Sequence, residues 1–252
     1  MARRNISALA AAALAIGICG LPQSALAQPA QPKTFSSAGE AADALAAAIQ
    51  HHDDKAVEAI LGVGRAMASS GDESPDALER EQFARKYEER HRLVREANGS
   101  TVLYIGAENW RFPFPLRSTD GRWSFDARAG QEEITRRTIG ENESKVIDTL
   151  VSMDETAPEE GSRDGYRFKA VSGQAATTDL AVGVSLTRAP GSMSISGIQF
   201  VAYPIAYRSS GVRTFIVTED GRVFEKDLGP ETATRAPAIG GRVEAAGWKP
   251  VN

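Results

Sequence analysis

Residues Trp123 to Glu143 read WSFDARAGQEEITRRTIGENE. An aromatic strand end, an acid and a glycine run into a densely charged segment, so a strand leads into a helix and the class is α+β. Glu132 and Arg136, like Glu133 and Arg137, stand four apart in the order that favours helix ion pairs. Asp126, Glu132 and Glu133 gather at the helix start, where carboxylates meet the exposed amides and the positive end of the dipole. Asn142 and Glu143 follow along it. The spacing predicts a helix from about Gln131 to Met153, with Ile139, Val146, Leu150 and Met153 as its apolar stripe and Ile147 beside it. If that helix presses on the preceding hairpin, Arg136 and Arg137 reach Asp126 and clasp two halves of the chain together.

Upstream, Ser37 and Glu40 form a capping box before Ala41, Ala44, Leu45, Ala48 and Ile49, which recur on one helical face. Asp53 or Asp54 caps a second helix bearing Val57, Ile60 and Leu61, and Gly62 and Gly64 end it. Ser74 and Pro75 open a third, with Phe83, Tyr87 and Val94 as its stripe and His91 on that face. The period then changes. Thr101 to Ile105 is strand-like, and Phe112, Phe114 and Leu116 alternate with Arg111, Pro113 and Pro115. Both prolines point to one side, which implies an unpaired edge or a bulged rim. Asp120 and Gly121 turn the chain into Trp123 and Phe125, which share a face. In element order, three helices on a curved antiparallel sheet resemble the cone-shaped domains of the nuclear transport factor 2-like superfold.

Downstream, Asp164 and Gly165 begin a β-rich part. Tyr166 and Phe168 alternate, Ile198 to Tyr203 (IQFVAY) is a buried run, and Thr214 to Val217 turns at Asp220 and Gly221 into Val223 and Phe224. A helix followed by this antiparallel sheet resembles the globular head of pilin-like proteins, with the helix lying across the sheet. The segment between Ala170 and Gly197 is rich in Gly, Ser, Thr and Ala, and a mobile loop is expected there. Two parts follow, 35–130 and 131–252.

Ahead of them, Arg3 and Arg4 precede an apolar run from Ile6 to about Leu21, and Ala25 to Ala27 supply the small residues of a cleavage site. A signal peptide over 1–27 is expected, cut between Ala27 and Gln28, with a periplasmic or secreted product. Residues 28–34 (QPAQPKT) read as a disordered linker. No later segment approaches the roughly 20 apolar residues that span a bilayer. The single cysteine, Cys19, lies in the signal, so disulfide and thiol chemistry are excluded from the mature chain. Without Arg3 and Arg4 the 29 basic residues fall to 27 against 33 acidic ones. That net charge of −6 has the wrong sign for a nucleic-acid partner.

For chemistry, the chain offers little. His51 and His52 belong to a solvated turn, His91 to the edge of the core, and no metal set, serine elbow or nucleotide loop accompanies them. No catalytic residue, metal or cofactor is implied. Asp126 and Glu133 have the composition of a glycosidase pair, which depends on a separation that sequence does not contain. Trp110, beside the proline edge, is the better binding candidate; Trp123 belongs to the core, and Trp248 could line a cleft.

Taken together, Asn109 to Leu116 (NWRFPFPL), Gly121 to Asp126 (GRWSFD), Ala129 to Glu133 (AGQEE), Arg136 and Arg137, Ile139 to Glu143 (IGENE), Val201 to Pro204 (VAYP), Gly211 to Phe215 (GVRTF) and Asp227 to Gly229 (DLG) resemble the bacterial secreted family of domain of unknown function 2950. The resemblance runs from Phe35 to Trp248, and it implies a location and a fold but no activity. Members of that family usually close the helix with an Ala-Gln pair and a tyrosine; here Met153 to Thr156 (MDET) stands instead.

The functional expectation is a non-enzymatic periplasmic protein with an interaction or assembly role and an envelope protein partner. The proline edge is its docking strand. Two alternatives stand beside it: a binding module for a small cell-envelope ligand in a cone-shaped cavity, and a carboxylate-dependent hydrolase using Asp126.

Overall fold

A computed structural model describes residues 32–64, 73–152, 161–171 and 194–251. The chain is α+β, with helices packed on antiparallel sheets. Helix α1 (Ala38–Gln50) is capped by Ser37, whose hydroxyl accepts the Glu40 N–H at 3.0 Å. Glu40 reaches back to the Ser36 N–H at 2.8 Å, one residue beyond the expected box. Its buried face is mostly alanine, with Leu45 fully enclosed, so neighbouring elements approach closely. Asp53 caps α2 (Asp54–Leu61) through the Ala56 N–H at 2.9 Å, and Gly62 ends it at a φ of 68° that a side chain would resist.

Helix α3 (Glu73–Glu89) buries Phe83 and Tyr87, and the Tyr87 hydroxyl donates to Asp43 of α1 at 2.7 Å. Val94 and His91 are not on it. The helix stops where the Gly106 N–H takes the carbonyls of Lys86 and Arg90, and residues His91–Arg95 become strand β1. A seven-residue spacing suits a helix stripe, yet five register pairs with β2 (Thr101–Ile105) are the stronger claim on this segment. His91 stacks instead on the Tyr87 ring, 4.0 Å between centroids.

The first sheet continues through β3 (Trp110–Arg111), β4 (Leu116–Thr119) and β5 (Arg122–Phe125), in the order β1-β2-β4-β5 with β3 also on β2. The β4–β5 turn is the expected one, with Asp120 at φ 51° and Gly121 at φ 75°. The proline stretch differs from expectation. It is no strand edge: the chain leaves β3 after two residues, and Pro113 and Pro115 are buried. The Pro115 carbonyl accepts the Asp126 N–H at 2.8 Å, while Phe112 and Phe114 turn inward among Phe83 and Phe125. Prolines lack the N–H that a strand would need, so they suit this buried crossing, where only carbonyls require partners.

Helix α4 (Ala127–Val151) starts four residues earlier than expected because Asp126 is its cap, accepting the Ala129 N–H at 2.9 Å. A division at 130/131 therefore falls inside one continuous helix. Its N-terminal end packs Ala127 and Ile134 on the first core, and its C-terminal end buries Val146 and Leu150 in a second. Gly130 sits directly against the Phe114 ring, where a Cβ would overlap the aromatic carbons. Met153, expected on the stripe, lies outside the described residues.

The second sheet comprises β6 (Gly161–Arg163), β7 (Tyr166–Ala170), β9 (Ile198–Pro204), β10 (Arg213–Thr218), β11 (Val223–Asp227) and β13 (Lys249–Pro250). Their spatial order is β13-β11-β10-β9-β7-β6, antiparallel throughout. Strands β8 (Ser194–Ser196) and β12 (Arg242–Glu244) form a separate ribbon. Helix α4 covers one face, over Tyr166, Phe168, Phe200 and Phe215. The opposite face carries Val201, Tyr203 and Ile216 under Leu228, Ala236 and the half-buried Trp248. Short helix α5 (Thr232–Arg235) and the 3₁₀ turn Ala236–Ala238 build that second layer. It accounts for the apolar run Phe200 to Pro204 of β9, since a strand covered on both sides has no polar face.

The expected signal peptide and the core of the expected loop, 172–193, lie outside the described residues. The end of the expected disordered linker is held. Lys33 donates its N–H to the Ala59 carbonyl at 2.8 Å, and Phe35 bridges Trp123 through both backbone groups at 2.8 and 2.9 Å.

Candidate functional site

Most charged residues of α4 have partners; of the two expected pairs four apart, Glu133 with Arg137 forms and Glu132 with Arg136 does not. Asp126 spends one oxygen on the helix cap and the other on Arg117 at 2.6 Å; Arg136 and Arg137 do not reach it. Glu132 pairs with Arg128 at 2.9 Å instead of with Arg136, on the solvent side. Glu133, whose side chain is 13% exposed, collects Arg136 and Arg137 at 2.7 Å each and Arg111 at 3.7 Å. Burial alone pushes the Glu133 carboxyl up, but the hydrogen bonds and charges of Arg136 and Arg137 outweigh it and hold the group below its ordinary value. A carboxylate so held is a poor proton donor for a glycosidic leaving group.

Arg137 also ties α4 to the first sheet. It donates to the Arg111 carbonyl at 2.8 Å and lies 5.4 Å from the Trp110 ring centre. Farther along, Asn142 donates to the Ser210 carbonyl at 2.9 Å, and Glu143 accepts the Val212 and Arg213 N–H groups at 2.9 Å each. The buried Tyr166 hydroxyl stands 3.3 Å from Glu143 and donates to the Arg213 carbonyl at 2.9 Å. Burial, then the nearby Glu143 charge, pushes that hydroxyl well above its usual value. Two backbone amides and a phenol thus converge on one carboxylate of the helix.

Elsewhere, α1, α2, α3 and the first sheet border an open cavity of about 430 Å³. Leu45, Ile105, Phe112 and Phe114 line its depth, Ile49, Val57, Leu61 and Phe83 its sides, and Asp54, Glu79, Arg80, Gln82, Lys86 and Trp110 its charged rim. Trp110, 38% exposed, meets Phe112 edge-on at 6.1 Å. Of the tryptophans, Trp110 is thus the one at the cavity, and Trp123 packs against the first core. Trp248 borders a recess of about 180 Å³ with Lys226 over its ring at 5.9 Å.

Sequence reasoning did not find the rim residues Arg80 and Lys86, which sit on a helix of unremarkable charge pattern. It placed Phe112 and Phe114 on an apolar face without seeing what they border. Among the described residues, no group of three His, Cys, Asp or Glu side chains is placed to hold a metal ion, and His51 and His52 are exposed. No described helix is long and apolar enough to cross a membrane.

These features define an α+β protein in which one long helix joins two antiparallel sheets and the first half carries an open pocket. The model of the family described as protein of unknown function DUF2950 matches residues 32–163 and 150–251, and the chain belongs to that family. No curated protein matches, and no solved structure does.

Proposed function

We propose that the protein is a non-enzymatic binding module of the cell envelope, exported to the periplasm by the segment 1–27, and that its first half holds a small ligand. The observation that carries this reading is the cavity of about 430 Å³. That volume falls within the roughly 300–1,000 Å³ of ordinary ligand sites, and its apolar depth under a polar rim is their usual chemistry. The assembly reading loses its docking strand, because Pro113 and Pro115 are buried.

The test is to extract the purified mature protein with organic solvent after incubation with envelope lipids and metabolites, and to identify retained molecules by mass spectrometry. Val57→Phe, which fills the cavity from its side, should retain none while keeping the wild-type circular dichroism. Recovery of nothing from the wild type, or equal recovery from both, would refute the proposal.

A further inference from the structure

Resting on that reading, we infer that the ligand carries no negative charge and has an apolar body with a hydrogen-bonding end, such as an alcohol, ester or amide. The rim carries ions, but its cations are already matched. Arg80 holds Asp54 at 2.8 Å, with side-chain exposures of 21% and 43%, and Lys86 holds Glu108. Both bonds tie the rim of the cavity to itself: α3 to α2 through Arg80, and α3 to the β2–β3 turn through Lys86.

An anionic ligand would have to take one of these cations from its carboxylate and leave that carboxylate uncompensated. The rim would resist it further, because Asp54, Glu79 and Glu108 outnumber Arg80 and Lys86. A charge drawn deeper would lose its water among Phe83, Phe112 and Phe114, with no opposite charge there to replace it. Among the described residues the rim leaves the exposed Glu79 carboxylate and two neutral groups available. Among the described residues the Trp110 indole N–H and the Gln82 amide have no hydrogen-bond partner in the protein. An indole N–H donates only, and an amide both donates and accepts, so together they suit a hydroxyl or carbonyl end.

Two probes of nearly the same skeleton separate the possibilities: N-phenyl-1-naphthylamine, which is uncharged, and 8-anilino-1-naphthalenesulfonate, which carries a sulfonate. Each is titrated into the full mature protein, reading probe emission and energy transfer from tryptophan, with Trp110→Phe and Val57→Phe as controls for location. The expected result is that the uncharged probe binds about ten-fold more tightly than the sulfonate. Its energy transfer falls in Trp110→Phe and its binding falls in Val57→Phe. In Asp54→Asn, which frees Arg80, the preference narrows. Equal or tighter sulfonate binding that is sensitive to Val57→Phe overturns the inference and leaves the cavity reading standing. If neither probe shows binding sensitive to Val57→Phe, both are overturned.

Discussion

Removing the carboxylate of Glu143 is the sharpest test of how α4 holds the second sheet. In Glu143→Ala the Val212 and Arg213 N–H groups lose their 2.9 Å acceptor, and the weaker 3.3 Å contact with Tyr166 goes with it. A part-buried donor left without a partner costs about 1–3 kcal/mol, and a bond to a charged group is worth more than a neutral one. Water reaching the half-exposed site recovers some of this, and the Tyr166 hydroxyl keeps the Arg213 carbonyl. The net loss should be about 3 kcal/mol, a large share of the roughly 5–15 kcal/mol that holds an ordinary domain. Glu143→Gln keeps a carbonyl oxygen in the same place and should lose only about 1 kcal/mol. Urea unfolding measures the difference, and amide exchange at Val212 and Arg213 locates it. If Glu143→Ala unfolds at the wild-type midpoint with those two amides still protected, Glu143 does not hold the sheet and the reasoning fails.

Gly130→Ala should destabilise by about 2 kcal/mol in spite of alanine's better helix propensity, because its methyl group overlaps Phe114; thermal unfolding reads it, and Phe114→Leu in the same chain should recover part of the loss. Asp126→Ala should cost about 1 kcal/mol through the lost cap, with Asp126→Asn milder because asparagine also caps, so the melting temperatures should fall in that order. The depressed Glu133 pKa makes its contribution present above the unfolded value near 4.3 and lost as pH falls through the folded one. Wild type should therefore exceed Glu133→Gln by about 1 kcal/mol at pH 7, with the two curves converging as pH falls below the unfolded value in denaturant titrations at each pH.

Local signals carried much of the fold. The Ser37 and Asp53 caps, the Gly62 stop and the turns at Asp120–Gly121 and Asp164–Gly165 stand where their residue types put them, because each depends on groups within a few positions along the chain. The end of α3 was less legible. Phe83, Tyr87 and Val94 keep a helical spacing, and only the pairing of β1 with β2 removes Val94 from that helix. Likewise the prolines at 113 and 115 announced an interruption in the strand, but whether it faces water or the core depends on α4 arriving over Phe114.

The charged segment from Trp123 to Glu143 shows the division most clearly. By itself the sequence determined that a strand gives way to a helix there, and that Asp126, Glu133, Arg136, Arg137, Asn142 and Glu143 are its polar equipment. Spacing gives Glu133 its Arg136 and Arg137 and Asp126 its helix cap, but the remaining partners were decided by the tertiary structure. Asp126 turns to Arg117, Arg137 to Arg111 and Trp110, and Glu143 to amides about seventy residues away. Charges along a helix can be paired on paper by spacing. In the folded chain a side chain takes whichever acceptor or donor the packing brings within about 3 Å, and the partner's place along the sequence does not enter.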